Sequence, residues 1–250
     1  MKQLIIVVLF MISSFALGEE ATIQFDQANQ LYRTGNYKEA AQLYEKITAT
    51  GYENTMLYYN LGNAYFKLQE FPAAILNYER AKRLSPHDED MLYNLRLANL
   101  RITDRIEPLP RLFLEDWWRA LMTLYSSDGW SVAGIAGLWC ALITGVMFVV
   151  VRSFLAQRII FVVSSLILLF TTVAFVGMFQ QHHREEADQH AIVFAPSVSV
   201  KSAPDNQSVD LFVLHEGVNV ELLDSVGDWK KIRLSDGKIG WITVNTIEVI

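Results

Sequence analysis

The stretch "LYYNLGNAYFKLQEFPAAILNYERAKRLSP", Leu57 to Pro86, decides how the first hundred residues are read. It reads as helical, and it has a copy upstream. "GNYKEAAQLYEKI" from Gly35 aligns with "QEFPAAILNYERA" from Gln69. At that offset Ala28 falls on Gly62, Tyr37 on Phe71, Ala40 on Ala74 and Tyr44 on Tyr78. The same offset carries Leu57-Tyr58-Tyr59-Asn60-Leu61 onto Met91-Leu92-Tyr93-Asn94-Leu95. Self-similarity at a period of about 34 residues marks a helix-turn-helix array. The small residues let paired helices approach, Tyr44, Tyr65 and Tyr78 fill the space between them, and Pro86 ends a helix because it lacks an N–H donor.

These residues strongly resemble the tetratricopeptide repeat. The domain is expected over residues 19–103, with repeats at about 21–54 and 55–88 and a half-repeat or cap at 89–103. The first copy is the more degenerate, with Gln27 and Ala28 where the second has Leu61 and Gly62, and the third places Arg96 at the small position. Two and a half repeats are close to the minimum that buries its own faces. The resemblance implies that the first helix of each pair lines a concave groove for a peptide segment. The first repeat would supply Phe25, Asn29, Tyr32 and Arg33. The second would supply Tyr59, Asn63, Phe66 and Lys67, and the third Tyr93, Leu97 and Arg101. The family's carboxylate-clamp pattern is met at Asn29 and Asn60 only. Phe25, Asp90 and Asn94 stand where it has basic residues, so chaperone-tail binding is not predicted.

Over the whole chain the composition is unusually apolar. Hydrophobic residues make up 52% of the chain, and mean hydropathy is +0.20, so part of it is expected in lipid. "MKQLIIVVLFMISSFALG", residues 1–18, has the charge, apolar run and small residues of a secretory signal peptide; an uncleaved anchor helix is the alternative. Trp130 to Val151 and Ile159 to Phe179 are uncharged runs. The first would span roughly 33 Å as a helix, enough to cross a bilayer core. Between the runs lie Arg152 and Arg158. Each would cost about 2.5–3.5 kcal/mol at mid-bilayer, so residues 152–158 read as a cytoplasmic turn in a transmembrane hairpin. Ala133, Gly137, Ala141 and Gly145 make a small-residue row for packing on the second span through Ser164, Ser165 or Thr172, unless the row is chance. Residues 104–129 hold Pro108, Pro110 and the Trp117-Trp118 pair, and read as a broken linker and an interfacial amphipathic helix or a linker packed on the repeats. An exported array followed by two spans places both soluble parts outside the cytoplasm.

Residues 180–189 form a polar linker, and 190–250 read as all-β. "SVSVKS" alternates, and Ser235-Asp236-Gly237 between "KIRL" and "KIGWI" is a hairpin pattern. The region resembles a bacterial SH3-like barrel, most tellingly at Gly227-Asp228-Trp229 and Gly240-Trp241. Trp229 and Trp241 read as core residues, with a groove for a wall peptide or glycan as the functional alternative.

Catalytic chemistry finds little support. His182, His183 and His190 match no zinc spacing. No nucleophile turn or glycine-rich phosphate loop occurs. The single cysteine, Cys140, precludes a disulfide within one chain. Net charge is −6 without a basic stripe, which excludes a nucleic-acid partner. No enzyme activity, cofactor or metal is expected.

The whole layout, with "DRIEPLP" before a Trp-rich helix and "AIVFAPSVSVKSAP" opening the last domain, resembles the BatE family of the aerotolerance (Bat) operon. That resemblance implies a bacterial inner-membrane scaffold working with other Bat proteins, von Willebrand factor A-type and tetratricopeptide members among them, in tolerance of oxygen. A peptidoglycan-binding envelope sensor is the alternative.

Overall fold

The fold comes from a computed structural model that describes residues 20–107, 109, 113–122, 124–125, 127–187 and 189–250. Within these, the side chains of residues 116, 119, 127 and 181–187 are not described. The signal segment 1–18, Pro108, Pro110 and the side chains of the 182–188 polar cluster therefore lie outside the described residues. Two compact units are present. One joins the described residues before 109 to Gln189–Ile250, and the other lies within 109–188.

The first unit opens with helical hairpins: α1 (residues 20–33), α2 (Tyr37–Thr48), α3 (Thr55–Lys67), α4 (Phe71–Leu84) and α5 (Glu89–Asn99). Their ends are set by local chemistry. Asn54 caps α3 by accepting the Met56 N–H at 2.9 Å, and Asp88 caps α5 by accepting the Met91 N–H at 3.0 Å, each satisfying an orphan donor of the first turn. The turn from first to second helix needs a left-handed residue. Gly35 supplies it in the first repeat, with φ 84°. Gln69 supplies it at the matching place in the second, with φ 64°. Gly62 lets the second pair close: a Cβ there would lie 2.7 Å from two ring carbons of Tyr78. Arg96, at the matching position of α5, is exposed, as suits a helix with no second helix folded on it.

Seven strands among the described residues make one antiparallel sheet: β1 (His190–Val193), β2 (Ser197–Lys201), β3 (Asp210–His215), β4 (Asn219–Val226), β5 (Trp229–Arg233), β6 (Ile239–Thr243) and β7 (Ile247–Val249). Their order is β3-β2-β6-β5-β4-β1-β7. Val200, Leu214, Val220, Ile232 and Ile242 fill the interior. The two-residue period decides which side chains join them. On β6, Gly240 and Ile242 are buried, so Trp241 points the other way. On β5 only Ile232 is buried. Trp229 and Trp241 are thus half-buried on the outer face, not core residues as expected from the sequence. Trp229 pairs with Thr243 and Lys231 with Trp241. The Lys231 ammonium stands 5.9 Å over the Trp241 ring, within reach of a cation–π attraction.

The sheet and the helices share a core, although the hairpin separates them in sequence. Ile192 of β1 is fully buried among Ala74, Ile75, Tyr78, Leu95 and Ala98. In the other direction, Ile102 leaves α5 and packs on the sheet interior. The Asp104 carboxylate accepts the His215 backbone N–H at 2.7 Å and lies 2.9 Å from His215 Nδ1. Arg80 donates to the Val249 carbonyl at 3.0 Å and Arg83 to the Ile250 carbonyl at 2.9 Å. Two arginines of α4 thus take backbone acceptors at the end of the β7 edge strand, which would otherwise be unpaired.

The second unit holds α6 (Phe113–Met122), α7 (Ser127–Val150) and α8 (Phe154–Ala187). Asp128–Val150 and Phe154–Gln180, with mean hydropathy 2.2 and 2.7, are long and apolar enough to cross a membrane. Only residues 151–153 are non-helical between them. The turn is shorter than residues 152–158 because Arg158 is accommodated in the first turns of α8, its guanidinium 5.0 Å over the Phe154 ring. Its long stem lets the charge reach back toward the start of α8. Gly137 packs against Thr171, which is buried, rather than against Ser164, Ser165 or Thr172, and Gly145 meets nothing. Trp130 anchors the loop after α6: its indole N–H donates to the Met122 carbonyl at 2.9 Å, and its ring lies on Gly177.

Candidate functional site

The candidate site follows from how successive first helices are joined. Tyr44 donates its hydroxyl to Asn29 Oδ1 at 2.7 Å, and Asn60 Nδ2 donates to the same oxygen at 2.9 Å. One repeat on, Tyr78 and Asn94 donate to Asn63 Oδ1 at 2.7 and 2.9 Å. Each bond thus recurs at the repeat period: the tyrosines tie α2 to α1 and α4 to α3, and the asparagine donors tie α3 to α1 and α5 to α3. Asn94 Nδ2 also meets the Tyr59 hydroxyl at 2.9 Å.

This ladder fixes the polarity of the groove above it. The carbonyl oxygens of Asn29 and Asn63 are taken by two donors each, so their amide N–H groups are what they can offer a ligand. The hydroxyl donors stay protonated. Burial first, and then the neighbouring Tyr32, pushes the Tyr44 pKa up to about 12, since desolvation disfavours the phenolate. Burial likewise raises Tyr78, with Tyr59 and Tyr32 adding to it, and raises Tyr32 itself. None of these phenols is a base or nucleophile near neutral pH.

A groove of about 350 Å³ lies along these helices, lined among others by Tyr32, Tyr59, Asn63, Phe66, Lys67 and Leu97. Its aromatics are held edge-on by neighbours, Tyr32 by Tyr37 at 5.1 Å and Phe66 by Phe71 at 5.7 Å. That is the arrangement the ring quadrupoles favour. The fold therefore gathers Tyr32, Tyr59, Asn63, Phe66 and Lys67 of the sequence-selected groove residues, with Leu97, in one cavity. Asn29 sits behind them in the hydrogen-bond ladder. Phe25 is turned to the core, its ring 5.8 Å from Tyr44. Tyr93, 56% exposed, does not line the cavity, and Arg33 and Arg101 are exposed outside it. Sequence reasoning missed the tyrosine-to-asparagine ladder. The clue was present, because Tyr44/Tyr78, Asn29/Asn63 and Asn60/Asn94 all keep the repeat offset.

Among the described residues, no three His, Cys, Asp or Glu side chains are grouped to hold a metal. Cys140 is exposed on α7. Trp229 and Trp241, on the outer sheet face, offer stacking surface.

Residues 25–89 match the tetratricopeptide repeat. The match runs over the two helical hairpins and ends at the start of α5, before Asn94. No curated protein matches the chain. The repeat is an interaction module, and its first helices are where the groove lies.

Proposed function

We propose that this protein is a non-enzymatic membrane scaffold that grips a protein partner in the repeat groove. The observation that carries the reading is the groove itself, a cavity lined by aromatic rings and hydrogen-bond donors with Lys67 at its rim. Such a lining suits an extended peptide, which brings carbonyl and carboxylate acceptors. Two apolar helices leave and return to one folded unit. A hairpin that crosses a bilayer twice keeps both halves of that unit on one side, which supports array and sheet facing the same compartment. With the N-terminal segment read as a secretory signal, that compartment is the periplasm of a bacterial inner membrane. The layout's resemblance to the BatE family supports other Bat-operon membrane proteins as partners, the von Willebrand factor A-type and tetratricopeptide members, and a role in aerotolerance. Crosslinked membranes should yield those partners by affinity capture, and Tyr59→Ala or Lys67→Glu should lower the yield. Capture unchanged by both variants would contradict the groove as the contact.

A second reading has its own observation. The sheet resembles an SH3-like barrel, and Trp229 and Trp241 stand outward beside Lys231. Such a face can stack on sugar rings of peptidoglycan. The detergent-solubilised full chain should then sediment with purified sacculi and lose that property in Trp229→Ala with Trp241→Ala. No co-sedimentation removes this reading.

A further inference from the structure

The end of each first helix carries a cation at the same repeat position. Arg33, Lys67 and Arg101 keep the offset that relates the repeats. All three are exposed. Lys67 is the last residue of α3, and Arg101 lies just beyond the end of α5. A cation there offsets the helix dipole, but the three also differ from the cations of α4. Arg80 is paired with Glu248, Lys82 with Glu79 and Arg83 with Glu53. Among the described residues, Arg33, Lys67 and Arg101 form no ion pair. Side-chain bonds from Asn60 to Asn29 and from Asn94 to Asn63 join successive first helices, and helices in contact stand about 8–10 Å apart.

A β-strand does not fit such a row, because residues on one face of it repeat at about 7 Å or 13 Å. A polyproline II helix does. It has three residues per turn and advances about 9 Å per turn, so every third side chain lies on one face at that spacing. Such a helix also docks on aromatic grooves, and Tyr32, Tyr59 and Phe66 provide one beside the cations. We propose that the groove takes an acidic polyproline II segment of a partner protein, with carboxylates at every third residue meeting Arg33, Lys67 and Arg101. This rests on the groove being a peptide site and adds the chemistry and register of the peptide.

The test is fluorescence anisotropy of the detergent-solubilised full chain with a labelled Glu-Pro-Pro-Glu-Pro-Pro-Glu peptide. Exposed ion pairs contribute modestly, so Arg33→Gln, Lys67→Gln and Arg101→Gln should each weaken binding about 2–5-fold. The peptide with Gln for every Glu should bind about tenfold or more weakly, and about 0.5 M salt should remove most of the difference. Peptides with Glu at every second or fourth position should bind no better than the Gln peptide. Equal binding of the Glu and Gln peptides, lost in Phe66→Ala, overturns the charge row and leaves the groove as a peptide site. Absence of binding by any peptide overturns the proposal. If partner capture is also indifferent to Tyr59→Ala and Lys67→Glu, the groove reading falls with it.

Discussion

Helices α2 and α4 occupy the same place in successive repeats and are buried to different depths. Helix α2 buries Ala40, Ala41, Tyr44 and Ile47. Helix α4 buries Pro72, Ala74, Ile75, Leu76, Asn77, Tyr78 and Ala81. At matched positions Ala41 becomes Ile75 and Gln42 becomes Leu76. The change follows from what each helix meets. Helix α4 is covered by α3 on one side and by β1 on the other, where Ile192 enters its cluster. The sheet thus ends the array by burying the face a next hairpin would need, which is how a short array closes its core.

That comparison can be broken by substitution, with urea unfolding of the full chain as the measure. Ile75→Ala should have the largest effect, a loss of about 2–4 kcal/mol, because it opens a cavity where helix and sheet meet. The matched Ala41→Gly should cost only about 1 kcal/mol through helix propensity. Equal losses would mean that the sheet adds nothing to α4. Gly62→Ala should follow, at about 1–2 kcal/mol net, since its new methyl meets the buried Tyr78 ring and outweighs the gain in helix propensity. Smallest is the turn. Gln69→Gly should stabilise by about 1 kcal/mol by relieving a left-handed side chain, and Gly35→Ala should destabilise by about as much. A neutral result at both would put the turn strain elsewhere.

Much of this was legible in the sequence because it rests on periods. The repeat offset revealed the helical hairpins, two long uncharged runs the apolar helices, and alternation the strands. What escaped rests on contacts between distant segments. Ile102 and Ile192 look like ordinary apolar residues at the edges of elements, and nothing local says that each packs in the other's domain. Trp241 alternates with the buried Gly240 and Ile242, so strand parity turns it outward although it reads as a core residue. Arg158 reads as a turn residue by its charge, but its long side chain lets α8 begin at Phe154. The groove residues of α3 were legible from repeat position, while Phe25 was turned inward by its contact with Tyr44.

Segments on either side of the apolar hairpin fold into one body. Arg80 and Glu248 face each other at 3.3 Å in that body. With Cys140 replaced by serine, Arg80→Cys and Glu248→Cys should be joined by a short bismaleimide within one chain, in native membranes and independently of expression level. No crosslink, or one that forms only between chains, would contradict the shared core and the single compartment it requires.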